Sequence, residues 1–177
     1  MNALVLLADG FEEIEAVTVI DVLRRGGISV TAASIAGSTV TGSRGISLVA
    51  DSSFEDEELD DYEAVVLPGG MPGAATLRDS AHVREALQSA ARSGKIVAAI
   101  CAAPIALEAA GLLAGRRATS YPGKELPSAR YEEASVVVDG RLVTSRGPAT
   151  AMEFALTLVE MLAGAEAKDK VARALLS

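Results

Sequence analysis

The chain has 177 residues, half of them hydrophobic but only 3% aromatic, and carries a formal net charge of −8. That length suits one domain spanning 1–177 with a core of Ala, Val, Leu and Ile, and the acidic balance disfavours charge-driven binding to nucleic acid or anionic lipid. A single cysteine and a single histidine exclude an internal disulfide framework and a Cys-rich zinc site, so no metal or cofactor is expected.

In chain order, the run ALVLLA (3–8) reads as a buried strand closed by the turn Asp9-Gly10. It opens the sequence without a basic n-region or cleavage site, and no apolar run reaches the roughly 18 residues that cross a bilayer, so a cytoplasmic protein without membrane segments is expected. In FEEIEAVTVIDVLRRGG, Ile14, Val17, Ile20 or Asp21, and Leu23 or Arg24 recur at helical spacing. Acids fill the first turn, arginines the last, and Gly26-Gly27 stops the helix. Glu12 and Glu13 read as solvated. ISVTAAS (28–34) is a second strand, GSTVTGSRG (37–45) is turn-rich, and ISLVA is a short strand. FEDEELDDYE (54–63) reads as a solvated acidic run. The strand AVVL (64–67) leads into the loop PGGMPGA, and a helix capped by Asp79 or Ser80 runs to about Ser93, carrying an unremarkable His82. KIVAAI (95–100) is a strand with Cys101 at its carboxyl end, and a helix with Pro104 in its first turn follows. A hairpin around Asp139-Gly140 and two closing helices, from about Thr150 and from Glu166, complete the chain. Alternating strands and helices predict a parallel α/β sheet with helices on both faces and a ligand crevice at the strands' carboxyl ends.

Three segments converge on that crevice: the turn from Asp9 to Glu15, the PGGMPG loop, and Cys101. A cysteine in AAICAAP suits a small inert core residue, but one placed on a strand-to-helix turn is presented as on a nucleophile elbow. The following helix terminus is expected to favour a thiolate and lower the thiol pKa. Glu15 starts its helix at the same sheet edge, and a carboxyl beside a thiolate is expected to share one proton with it. Gly69 and Gly70 suit either a tight turn or a loop whose N–H groups, with that of Ala102, form an oxyanion hole. With no Cys-His dyad, cysteine proteolysis is disfavoured.

The segments GFEEIEAVTVIDVLRRGGISV, VVLPGGMPGA, IVAAICAAPIAL and LVTSRGPATAMEFAL, in this order, resemble the ThiJ/PfpI superfamily, in its branch of Parkinsonism-associated deglycases. The resemblance implies a flavodoxin-like three-layer sandwich forming a homodimer with active sites near the interface. It places the family's nucleophile on Cys101, its protonated glutamate on Glu15, and its oxyanion-hole amides on Gly70 and Ala102. Arg44 matches an arginine supplied near the partner's site, and Arg25 one that lies by it. The activity implied is a glyoxalase or deglycase acting on small aldehydes such as methylglyoxal, or on glycated groups. The alternative is a redox-sensing protective protein or chaperone whose cysteine is oxidised to sulfinic acid. Two positions depart from the family pattern. Tyr121, before Pro122, stands where that branch has a histidine, which removes a proton relay, and Ala102 stands where the protease-like branch has one.

Overall fold

A computed structural model describes residues 1–177. Its core is a seven-stranded sheet, and the apolar runs of the sequence supply the central strands. These are β1 (Asn2–Leu7), β2 (Ser29–Ser34), β6 (Ala64–Leu67), β7 (Ile96–Ile100) and β11 (Leu142–Ser145), flanked by the edge strands β5 (Ser52–Ser53) and β10 (Val136–Asp139). The order is β10-β11-β7-β6-β1-β2-β5, and every pairing is parallel except β10 with β11. Strands covered on both faces read as continuous apolar runs, and β6 and β7 are buried at every residue.

Helices α1 (Glu13–Arg25), α5 (Ala151–Ala163) and α6 (Ala165–Leu175) pack together as one layer. A second layer holds α2 (Gly73–Asp79), α3 (Ala81–Arg92) and α4 (Pro104–Ala109). The α1–α5 contact is close because Gly26 has no side chain; a Cβ there would lie 2.9 Å from Val159 Cγ1. Outside the main sheet are the hairpin of β3 (Thr39–Thr41) with β4 (Ser47–Val49) and the short pair of β8 (Arg117–Ala118) with β9 (Arg130–Tyr131). This is the flavodoxin-like α/β architecture. No helix is long and apolar enough to cross a membrane.

Three local readings of the sequence change. The PGGMPGA loop passes directly into a helix, α2, because its glycines and prolines occupy only the turn and the first helical positions. The 37–45 segment, read as turn-rich, contributes a strand, Thr39–Thr41, that pairs with the ISLVA strand outside the main sheet. In α1, Ile14 and Val17 point to solvent, 57% and 45% exposed, while Glu15, Ala16, Val19, Val22 and Leu23 face the core. Glu13, read as solvated, is also buried. The acidic run is anchored by Phe54 and Tyr62, which are both buried, and Phe54 stacks on the ring of His82 at 4.4 Å.

β1 lies between β2, which the chain enters next, and β6, which it reaches later on the other side, so the strand order reverses there. Crevices in open α/β sheets form at such reversals, beyond the carboxyl ends of the strands. The segments after β1, β6 and β7 carry Glu15, Gly69-Gly70 and Cys101 respectively.

Candidate active site

Cys101 sits at the end of β7 with φ of +65°, one of only two non-glycine residues of positive φ in the chain. A side chain in that conformation costs about 1 kcal/mol, so the neighbouring contacts must enforce it. They do so through the backbone: the Cys101 N–H donates to Ser145 O at 2.9 Å, and Tyr121 N–H donates to Cys101 O at 2.8 Å. The strand thereby turns sharply into α4 and the thiol is lifted to the top of the sheet, 8% exposed.

Glu15 reaches the same place from the first turn of α1. The Glu12 carboxylate caps that helix by accepting the Glu15 N–H at 2.8 Å, which orients the turn. The Glu15 side chain is fully buried, and its Oε2 accepts the Gly69 N–H at 2.8 Å. Its Oε1 has no hydrogen-bond partner, and the carboxyl lies beside the Cys101 thiol closely enough for each to shift the other's titration. Gly69 makes this approach possible. A Cβ there would stand 2.6 Å from both Cys101 Cβ and Glu15 Oε2. Gly70, with φ of +90°, is equally constrained: a Cβ would meet Gly10 O and Glu12 N at 2.4 Å. The N–H groups of Gly70 and Ala102 stand near the Cys101 sulfur as main-chain donors that favour its thiolate form.

The electrostatics follow from burial. Desolvation raises the Glu15 carboxyl to about 7, helped by the charge of Glu12, although the hydrogen bonds from Cys101 and Gly69 pull the other way. Desolvation likewise pushes the Cys101 thiol up to about 12, together with the charge of Glu15 and its hydrogen bond, against the Gly70 and Ala102 N–H groups. This reverses the lowered thiol pKa expected from the sequence. The helix after Cys101 has only six residues, so its dipole is small, while the buried carboxyl is in direct contact. At rest the sulfur keeps its proton, and near neutral pH the more acidic Glu15 is the group that titrates.

The mouth of the site is a cavity of about 420 Å³ bordered by Cys101, Ala102, Gly70, Arg44, Tyr121 and Lys124, among others. Tyr121 is 48% exposed and its ring lies against Gly147. Arg44 lines the cavity of its own chain. Arg25 is not brought there: it lies at the far end of α1, where its Nε donates to Asp21 Oδ2 at 2.7 Å.

Two residues were not singled out in the sequence. Glu13 accepts the Arg44 N–H at 2.6 Å, the Ser43 hydroxyl at 3.3 Å and the Ile46 N–H at 3.4 Å. Burial alone would raise its carboxyl, but the bonds from Arg44, Ile46 and Ser43 outweigh it and hold the group below the usual carboxylate range. Glu13 therefore pins the segment that carries Arg44, and Gly42 leaves it room, since a Cβ there would lie 2.4 Å from Glu13 Cδ. Lys124 follows the Tyr121-Pro122 step and was hidden in a stretch with no helical or strand periodicity. The GSRG turn paired with two successive acids was the available signal for Glu13.

Known proteins share the sequence and the fold. The Parkinson disease protein 7 homolog of Danio rerio is 46% identical over 96% of this chain and 94% of its own length. The glutathione-independent glyoxalase DJR-1.2 of Caenorhabditis elegans is 35% identical over 98% of this chain and 95% of its own. The crystal structure of Drosophila melanogaster DJ-1beta superposes with a TM-score of 0.95 at 43% identity, covering 99% of this chain and 97% of that one. The model of the DJ-1/PfpI family matches residues 1–161, and with full-length relatives at these identities the chain belongs to the DJ-1/PfpI family.

Proposed function

We propose that the chain is a cysteine-dependent stress-protection enzyme acting on small reactive carbonyls such as methylglyoxal or early glycation adducts. The observation that carries this reading is one nucleophilic atom meeting one titratable carboxyl and two main-chain donors: Cys101, Glu15, and the N–H groups of Gly70 and Ala102. A carboxyl raised to about 7 is matched to proton transfer at physiological pH. The glyoxalase named among the relatives supports the substrate class.

In this mechanism the Cys101 sulfur bonds to the aldehyde carbon while its proton passes to the Glu15 carboxylate. The carbonyl electrons move onto oxygen, where the Gly70 and Ala102 N–H groups hold the charge, and protonation gives a hemithioacetal. For methylglyoxal, Glu15 then carries the proton of the former aldehyde carbon to the neighbouring ketone position, which converts the adduct to a thioester of lactate. Water cleaves that ester, releasing lactate and restoring the thiol. The reaction consumes one water and needs no external oxidant or reductant. Lactate formation from methylglyoxal by wild type and Cys101→Ser tests the proposal: turnover is expected to vanish in the variant, and equal rates would end it.

A second reading draws on the same donors. The Glu15 carboxyl and the two N–H groups could hold the oxygens of a Cys101 sulfinate, making the protein a peroxide sensor. The raised thiol weighs against rapid oxidation, because the thiolate is the reactive form. Mass spectrometry after mild peroxide discriminates: a stable two-oxygen addition without aldehyde turnover favours sensing.

We further propose a homodimer. Ile14, Val17, Ile46 and Val49 are exposed around α1 and the β3–β4 hairpin, with Val49 78% exposed. Apolar side chains gathered on one face of a soluble protein mark an interface.

A further inference from the structure

The cavity over Cys101 has an uneven charge. Two cations border it, Arg44 from the segment held by Glu13 and Lys124 from the loop after Tyr121. Neither side chain forms an ion pair within the chain, although eight other Lys and Arg residues do. The single carboxylate bordering the cavity is Glu12, and its Oε2 already accepts the Glu15 N–H. The opening over the thiol is therefore locally cationic on a chain of net charge −8.

We propose that Lys124, with Arg44, makes the site selective for small carbonyl compounds that carry a carboxylate, and that Lys124 is a specificity-determining residue. The cavity of about 420 Å³ admits a short-chain acid with its aldehyde at the sulfur. At the rim, two cations set against Glu12 leave one net positive charge while the Glu15 carboxyl beneath is protonated, which matches a monoanionic carboxylate and would be overcompensated by a dianionic phosphate. Clefts lined by one sign of charge concentrate ligands of the opposite sign and raise encounter rates. The substrate class rests on the carbonyl chemistry proposed above; the anion preference does not.

The chain has one cysteine, so alkylation reports on this cavity alone. Iodoacetate and iodoacetamide transfer nearly the same group to sulfur with loss of iodide, and differ in charge. We expect the ratio of their rates at Cys101 to exceed the ratio for N-acetylcysteine amide by about tenfold at low salt, falling toward it as salt screens the cations. Lys124→Arg should keep the ratio, Lys124→Met should lower it several-fold, and Lys124→Glu should bring it below the small-molecule reference. A wild-type ratio at or below the reference, or one untouched by Lys124→Glu, overturns the inference. A second arm compares turnover of 4,5-dioxopentanoate with its methyl ester, where the acid is expected to have the higher kcat/KM. If neither these compounds nor methylglyoxal is turned over, the proposed enzyme activity fails, and the alkylation ratio still decides the anion preference by itself.

Discussion

Glu15 and Cys101 lie side by side at the switch point of the sheet, with the carboxyl fully buried and its Oε2 fixed on the Gly69 N–H. Burial raises both groups, and the Glu15 charge raises the thiol further, so the pair behaves as a unit with a proton to hand over rather than as a thiolate standing ready. In the proposed mechanism the thiol is activated by the substrate's arrival, when its proton can leave for a carboxylate poised near neutrality.

The thiol titration follows directly. Thiolate absorbance in wild type should rise only at high pH, as the value approaches about 12. Glu15→Gln removes the carboxylate charge, so the thiol pKa should fall while desolvation keeps it above that of free cysteine. A wild-type thiolate already present at neutral pH would contradict the pairing.

Stability should carry the same signature. The Glu15 carboxyl is raised from 4.5 to about 7 in the fold. Its neutral form is therefore the one the folded state prefers. The corresponding stability is complete below pH 4.5 and is lost as pH rises through about 7. At roughly 1.4 kcal/mol per pKa unit, the loss amounts to about 3 kcal/mol. Glu13, held below its usual range, contributes in the opposite sense and loses its share as acid protonates it. Urea midpoints between pH 5 and 8 should decline in wild type and flatten in Glu15→Gln. A flat wild-type profile would mean that Glu15 titrates like a solvated acid.

Gly69→Ala tests the close approach. Its Cβ would sit 2.6 Å from Cys101 Cβ and Glu15 Oε2 and 2.8 Å from Ile100 O, so something must shift. Overpacking of this kind costs about 1–3 kcal/mol and should spread the pair apart, reducing aldehyde turnover at least a hundredfold. Gly111→Ala is the control: φ there is +74° with open space around the Cβ, so it should cost only about 1 kcal/mol of backbone strain and leave turnover intact.

The proposed dimer is open to a single charge. Val49→Arg places a cation on the exposed patch beside Val17 and should give a monomer by sedimentation at micromolar concentration, with little change in thermal midpoint for an exposed position. Wild type sedimenting as a concentration-independent monomer would remove the dimer altogether.

Much of this fold is legible in the sequence because the strands are unusually apolar. The runs ALVLL, AVVL and IVAAI admit few readings other than buried strands, and the turns after them place Glu15, Gly69 and Cys101 at one sheet edge. The proton's location was not legible, since it depends on how completely Glu15 is desolvated and on how short α4 is. The role of Glu13 was hidden for a related reason. Helical spacing makes Ile14 and Val17 look like the core face and Glu13 look solvated, whereas the hairpin segment 42–46 covers Glu13 and leaves the two aliphatic side chains outside. The helix α2 was masked by the glycines and prolines that also serve the site.

The sulfur's two amide donors and the carbonyls that clamp Cys101 all belong to the main chain. Genetic variation therefore has little purchase on them: a side-chain exchange at Gly70 or Ala102 cannot delete an N–H unless it introduces proline. The reaction centre is open to loss through Cys101, Glu15 or crowding at a glycine, and otherwise to retuning through the residues at its mouth. Relatives sharing this backbone can thus diverge in what they accept while keeping the same anion cradle, with positions such as Arg44, Tyr121 and Lys124 as the natural sites of drift.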